Sequence, residues 1–343
     1  MSHQRIAFVG TGANGAGIAA DLTRAGLDVT FIEQWPAHVE AMRAHGITVR
    51  MRDREEVTPV TAYHLCEVAT LREKFDIVFT LVKAYDTRWA VELIKPLVAD
   101  DGLVVGLQNG MSLDDIADIV GPERTIGAVI EVGSNMWEPG IVNRDTPPEN
   151  SWFGVGAYDD AARGREVEVQ EVLRHAGAVD VYDDIRSAKW MKLIANAGEL
   201  VPSAILDLPL SDAIREPGMY DFMLEACAEA AEVALASGNQ LVPIFGLTDV
   251  DLSDPRGYSK VLIDKVLTSF NPDGLKVTVL QDWIKGRRGE VAEINGLVCE
   301  LGALHGVATP ANAITVEIAR RIESGELDRG TANAALLLPA LAR

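Results

Sequence analysis

Gly10-Thr11-Gly12-Ala13-Asn14-Gly15 places three glycines between a short apolar run, Ile6-Ala7-Phe8-Val9, and a small-residue segment whose Ile18, Ala19, Ala20 and Leu22 have helical spacing up to Gly26. In such a strand, turn and helix, the first glycine permits the tight turn and the second lets the backbone approach a pyrophosphate. The third lets helix and strand pack closely. Free N–H groups at the helix start then face the phosphates. Residues 10–15 are therefore expected to bind a dinucleotide; an ordinary glycine-rich turn is the alternative. Glu33 ends the next strand, eighteen residues beyond Gly15, where a carboxylate can accept hydrogen bonds from the adenosine ribose. A carboxylate there repels a 2′-phosphate, and Gln34, Trp35 and Pro36 bring no cation, so NAD is expected in preference to NADP. The alternative is a solvated acid, with phosphate choice left to Arg43 or another cation.

Reduction of a carbonyl by hydride leaves charge on its oxygen, so the reaction needs a proton donor within reach and polar groups that fix the rest of the substrate. Candidates lie on a helical segment near the middle of the chain. Leu193, Ile194, Ala197, Leu200 and Val201 form its apolar stripe, while Ile185, Lys189, Lys192, Asn196 and Glu199 share a more polar face. Lys192 and Asn196, four apart, point the same way. Either this is a solvated face with ordinary lysines, or it lines a cleft between domains, where burial lowers a lysine's proton affinity toward the range useful to an acid catalyst. Lys83 and Asn109 stand at the carboxyl ends of strands, the edge where ligands bind open parallel sheets, though strand ends are commonly polar and Asn109-Gly110 also suits a turn. There is no GxSxG and no metal-ligand pairing of histidines or cysteines, so no metal site is expected. The six histidines are scattered and are read as structural.

These residues need a scaffold, and the chain supplies two patterns. Up to about residue 182, strands at Ile6 to Val9, Val29 to Ile32, Ile47 to Val49, Asp76 to Val82 and Leu103 to Leu107 alternate with helices such as Ala37 to His45. Continuous apolar strands separated by helices predict a parallel sheet covered on both faces. Thr125 to Glu131, Gly140 to Asn143 and Trp152 to Val155 are expected to extend it with an antiparallel or mixed edge. Thereafter helix follows helix, over roughly 185–201, 220–236, 258–269, 290–305 and 311–324. The expected organisation is α/β: a Rossmann dinucleotide-binding domain over 1–182 with a mostly parallel sheet, then an all-helical substrate and catalytic domain over 183–343. Asn239 to Pro255 reads as a long loop that covers a site or an interface.

Net charge is −20, a field that repels phosphate backbones and acidic membrane surfaces, so nucleic acid and membrane are not expected as partners. No apolar stretch approaches the roughly 18 residues of a spanning helix, and Met1 to Arg5 pass directly into a strand without the apolar segment of a signal peptide. Cys66, Cys227 and Cys299 are odd in number and far apart, which suits a reducing cytoplasm.

Several motifs together resemble the ketopantoate reductase (2-dehydropantoate 2-reductase) family. They are Gly10 to Gly15, Val82-Lys83-Ala84, Gln108-Asn109-Gly110-Met111, Trp190-Met191-Lys192-Leu193-Ile194-Ala195-Asn196, Leu280-Gln281-Asp282 through Glu290 to Ile294-Asn295-Gly296, and Gly306 to Asn312. They occur in the family's order over residues 5 to about 325. The resemblance implies a Rossmann domain followed by a helical domain, with cofactor and a 2-oxo acid held where the two meet. It implies Lys192 as general acid/base, protonating the carbonyl oxygen as hydride arrives. Glu290 would hold the substrate's hydroxyl end, and Asn196 and Asn109 would surround substrate and nicotinamide. Lys83 would lie near the cofactor, and Thr278 stands where the family commonly has a serine on the substrate carboxylate. A homodimer is also implied.

Three features depart from the family pattern. Leu200 stands eight residues after Lys192, where a second substrate-facing asparagine is typical; Glu33-Gln34 stands where NADPH-using members carry an arginine; and the 239–255 loop is long. An apolar contact at position 200 weakens selection for hydroxylated substrates. The departures favour a different, more apolar 2-oxo or 2-hydroxy acid as strongly as ketopantoate and pantoate. Two other readings use the same residues. A β-hydroxyacid dehydrogenase also pairs a lysine with an asparagine four residues on, but lacks counterparts of Gln108 to Met111 and the Glu290 motif. A dinucleotide-sensing relative without catalysis would be expected to have lost Lys192, Asn196 and Glu290.

Overall fold

A computed structural model describes residues 4–270 and 274–342, so Met1 to His3 lie outside the described residues. The chain divides into two compact units between Arg186 and Ser187.

The first unit begins as the apolar pattern dictates. β1 (Arg5–Val9) is buried over Ile6 to Val9, and the glycine turn leads into α1 (Ala13–Arg24). β2 (Asp28–Glu33) follows, then α2 (Pro36–His45), which starts on a proline whose fixed φ suits a helix N-terminus. β3 (Ile47–Arg50), β4 (Glu55–Thr58), β5 (Thr61–His64) and β6 (Phe75–Thr80) come next. They are followed by α3 (Thr87–Ile94), β7 (Val98–Gly106), α4 (Leu113–Val120) and β8 (Thr125–Glu131). β9 (Ser134–Glu138), β10 (Ile141–Arg144), β11 (Trp152–Ala157), α5 (Glu166–Leu173) and β12 (Ala178–Val181) complete the unit.

The main sheet has eight strands in the order β12-β11-β8-β7-β6-β1-β2-β5. All its pairings are parallel except β11 on β8. One apolar cluster covers each face. Ala7, Val9, Val78 and Val104 pack with Ala90 and Val91 of α3 and Ile116 of α4; Ile6, Phe8 and Phe79 pack with Ala16, Ala19 and Ala20 of α1. Two expected strands lie elsewhere. β3 and β10 pair with each other and with β4 and β9 in a separate four-stranded sheet, order β4-β3-β10-β9. Val49 and Val142 of this sheet join the same core as α1, whose small side chains allow the approach.

A buried ion pair ties that small sheet to α1. The Arg144 guanidinium, fully buried on β10, pairs with Asp21 and donates to the carbonyls of Thr146 and Ala176 and to Ser151 Oγ.

The second unit is helical: α6 (Ile185–Ile205, its first two residues in the first unit), α7 (Leu210–Ala213), α8 (Met219–Ala236), α9 (Pro255–Ser269) and α10 (Thr278–Ile284). A π-helical turn, Ala292–Gly296, precedes α11 (Leu297–His305), and α12 (Pro310–Glu323) and α13 (Ala334–Leu337) follow. The helix expected from Glu290 thus opens as a π turn, with Gly296 N–H donating to Val291 O. α6 and α8 cross closely at Gly198, where a Cβ would lie 2.4 Å from Cys227 Sγ and 2.6 Å from Met223 O. Among the described residues no helix is long and apolar enough to cross a membrane.

Removing one partner of a buried ion pair leaves an uncompensated charge. Asp21→Ala is expected to lower the unfolding free energy by about 3–5 kcal/mol, measured by urea denaturation; a loss below about 1 kcal/mol would mean that Arg144 is satisfied without it.

Candidate active site

In the first unit the candidates collect on one sheet edge. Val9 pairs with Thr80 and Thr80 with Gly106, so the chain leaves β1, β6 and β7 side by side toward Gly10, Lys83 and Asn109. Gly10 has φ +90°, and a Cβ there would meet the Leu81–Val82 peptide at 2.8 Å, so the turn and the β6 exit are fitted to each other. At Gly15 a Cβ would lie 2.2 Å from Gly10 O, the close helix–strand contact expected of the third glycine. At Gly12, by contrast, a Cβ would meet nothing within 4 Å; the turn leaves room there for a ligand to reach the backbone.

Glu33 is 6 % exposed and holds this turn in place. Its Oε2 accepts from Thr11 N at 2.8 Å and Thr11 Oγ1 at 3.2 Å, and its Oε1 accepts from Gln34 N at 2.8 Å and Trp35 N at 3.0 Å. His38 fixes the other side. Its Nδ1 accepts from Gly140 N, so its Nε2 donates to Thr11 O, and burial pushes the imidazole below its ordinary pKa. The place of His38 between the glycine turn and residue 140 is a long-range contact that has no local signal in the sequence.

In the second unit Lys192 and Asn196 share one face of α6 with Glu199 and Ser203. All four are buried, Lys192 at 8 % exposure and Asn196 at 1 %. This excludes a solvated face. Lys192 Nζ lies 3.5 Å from Glu199 Oε1 and 5.5 Å from the centre of the Phe245 ring, which the 239–254 loop supplies. Leu200 is buried at 6 %. Thr278 is the first residue of α10, and Glu290, 4 % exposed, stands just before the π turn. That turn is pinned to α6 by Asn295, whose Nδ2 donates to Ala197 O and to Asn312 Oδ1 at 2.8 Å each.

Hydrogen-bond accounting sorts the motif residues. Gln108 accepts from Thr80 Oγ1 and donates to Thr87 Oγ1, Asn295 and Asn312 bind one another and nearby backbone, and Gln281 donates to Lys276 O. These brace the scaffold. Asn14 Oδ1, Asn109 Oδ1, both polar atoms of the Asn196 amide and Thr278 Oγ1 are buried with no hydrogen-bond partner among the described residues. An unsatisfied buried polar atom costs about 1–3 kcal/mol; others, among them Asn295 Oδ1 and Ser237 Oγ, share that state elsewhere, so it is their motif positions that suit these four residues to a ligand. The open space at Gly12 fits a pyrophosphate-bearing dinucleotide, the Asn14 and Asn109 oxygens can accept from a ligand hydroxyl or amide N–H, and Asn196 and Thr278 fit a small polar substrate. Among the described residues no cluster of His, Cys, Asp and Glu is placed to hold a metal ion.

Comparison with known proteins agrees over most of the chain. The family model for ketopantoate reductase PanE/ApbA matches residues 6–157, and that for its C-terminal part matches 184–323. A 2-dehydropantoate 2-reductase of Archaeoglobus fulgidus is 27 % identical over 329 residues, 95 % of this chain and 100 % of the relative. One of Caulobacter vibrioides is 28 % identical over 91 % of this chain and 97 % of its own. A PanE/ApbA family ketopantoate reductase structure from Ralstonia eutropha JMP134 superposes with TM-score 0.78 at 26 % identity, covering 94 % of this chain and 99 % of that one. A D-mandelate dehydrogenase structure with NADH and anilino(oxo)acetate shares the fold, with TM-score 0.81 at 21 % identity over 94 % of this chain and 99 % of its own.

The two glycines predict separable outcomes. Gly12→Ala is expected to keep the wild-type melting temperature while losing dinucleotide binding at least tenfold, measured by fluorescence titration. Gly15→Ala should lower the melting temperature, because its Cβ has no space; equal behaviour of the two variants would contradict the assignment.

Proposed function

The chain belongs to the ketopantoate reductase family, an NAD(P)-dependent oxidoreductase family, and from that premise we propose that it interconverts a 2-oxo acid and its 2-hydroxy acid with Lys192 as the proton donor and acceptor. The observation that carries this reading is a buried lysine sharing a helix face with an asparagine amide whose polar atoms have no partner among the described residues. The first unit is the dinucleotide-binding domain, with Gly10 to Gly15, Glu33, Lys83 and Asn109 as the residues that hold the cofactor. The second is the catalytic domain, with Asn109, Asn196, Leu200, Thr278 and Glu290 around the substrate. A bound nicotinamide supplies the hydride that arrives at C2. Lys192 Nζ gives its proton to the carbonyl oxygen as charge develops there, and takes it back in the oxidative direction. Asn196 has both a donor and an acceptor to orient the oxygen-bearing carbon, Thr278 offers a hydroxyl to the carboxylate, and Glu290 accepts from a substrate hydroxyl where there is one.

NAD is the proposed cofactor rather than NADP. Glu33 is a buried acid at the ribose position, and Arg43 is already committed, donating to Ala62 O and pairing with Glu40 and Glu67. The proposed substrate is ketopantoate or a more apolar 2-oxo acid, the latter supported by Leu200. The proposed assembly is a homodimer, resting on the family resemblance, and the proposed setting is the cytoplasm, supported by three cysteines that all remain free thiols.

Lys192→Ala is expected to retain dinucleotide affinity while losing at least about a thousandfold in turnover, at the middle of the range for a positioned acid or base. Near-normal turnover would remove Lys192 from the mechanism. A panel of 2-oxo and 2-hydroxy acids, ketopantoate and pantoate included, assayed with both cofactors, should show higher kcat/KM with NADH than with NADPH; a clear NADPH preference would end the ribose role of Glu33.

A further inference from the structure

We infer that Glu199 is a positioning residue for proton transfer: its buried carboxylate, seven residues down the same helix face, keeps Lys192 charged and aimed. The inference rests on Lys192 being the proton donor. The pair is close and dry, with Nζ 3.5 Å from Oε1 and side chains 10 % and 4 % exposed. Burial by itself drives a lysine toward the neutral form. Lys189, three residues earlier on α6 and 4 % exposed, shows the size of that effect, since desolvation pushes it down to about 7. A carboxylate within about 4–6 Å acts oppositely on a neighbouring ammonium, favouring its charged form.

Phe245 adds to the same effect. Its ring centre lies 5.5 Å from Nζ, within cation–π range, and its backbone has φ +61°, unusual for a bulky residue. The ring is 3 % exposed and packs on Phe270 at 5.4 Å, so burial holds this conformation in place. Other ionisable groups of the second unit have surroundings of their own. Cys227 on α8 lies against Gly198, and burial pushes its thiol up, so it stays neutral. Glu229 on α8 accepts from the backbone of Ala311 and Asn312. Glu293 in the π turn pairs with Arg288, and Glu290, 4 % exposed just before that turn, is a second buried carboxylate of this unit. Asp249, Asp251 and Asp254 of the loop are exposed. Glu199 is a carboxylate in contact with the Lys192 ammonium.

The consequence is directional. Reduction requires the ammonium, so a group that stabilises it extends reduction to higher pH; oxidation requires the neutral amine and is held back at neutral pH. Removing the carboxylate should therefore shift both profiles downward. In Glu199→Gln the alkaline limb of kcat/KM for 2-oxo acid reduction and the acid limb for 2-hydroxy acid oxidation are expected to fall by at least about one pH unit, with dinucleotide affinity unchanged. Limbs within about 0.3 pH units of wild type, in a preparation where Lys192→Ala is inactive, would overturn the role of Glu199 alone. If Lys192→Ala remains active, the assignment of the proton donor fails instead. Should Glu199→Gln not fold, a 15N-lysine NMR titration of the wild-type protein decides the question. Lys192 is expected to keep its proton well above the pH at which Lys189 loses its own, and loss of both in one range would refute the inference.

Discussion

An ammonium ion cannot be held away from water without a partner, and that constraint governs the second unit around Lys192. Lys192, Asn196, Glu199 and Ser203 repeat at three- and four-residue intervals, so a single helix presents them as one stripe. Turning that helix by one residue would rotate the stripe by about 100° and separate the lysine from its surroundings. Two contacts prevent this. Gly198 seats α6 against α8 too closely for any other residue, and Asn295 donates to Ala197 O from the π turn that follows Glu290. The ion pair, the helix crossing and the turn are therefore parts of one fixed geometry.

The same economy of hydrogen bonds organises the first unit. Glu33 accepts from four donors, all on residues 11, 34 and 35, so its carboxylate is first a brace that shapes the glycine turn. Each carboxylate oxygen has about two acceptor sites, which those four donors fill. A ribose hydroxyl that donates to Glu33 must then displace one of them, and the Thr11 hydroxyl, at 3.2 Å the longest of the four, is the easiest to give up. Repulsion of a 2′-phosphate needs no such exchange, since it depends only on the charge being there. The case for NAD from this residue is accordingly stronger as exclusion of NADP than as direct recognition of the ribose.

Short-range patterns were legible in the sequence, and long-range pairings were not. The strand, glycine turn and helix over residues 6–24 and the stripe on α6 are local periodicities, and both form. Ile47 to Val49 and Ile141 to Asn143 also read as strands, but their spacing says nothing about which sheet they join; they meet each other across some ninety residues rather than entering the main sheet. The π turn hides within an apparently helical run because one shifted hydrogen bond leaves composition unchanged. Glu199 was visible on the polar face, yet a solvated face has the same spacing, so only burial separates the two. Phe245 gave no signal at all, since its left-handed backbone is imposed by packing in a loop.

An apolar residue and a polar one bear unequally on substrate choice. An added apolar contact improves a matching substrate by only about 1–3 kcal/mol per methylene, and it rejects an added hydroxyl weakly. Removing a polar partner matters more, because a site that hydrogen-bonds a hydroxyl rejects analogues lacking it by about four to five orders of magnitude, and a site without that partner cannot. If Leu200 stands beside the substrate, as its spacing from Lys192 implies, the change from a polar residue there relaxes selection for a hydroxylated chain rather than building selection against one. Glu290, 4 % exposed, would in its proposed role work the other way. With both residues in their proposed roles, the site would accept hydroxylated and apolar 2-oxo acids with narrower discrimination than a site with both polar contacts.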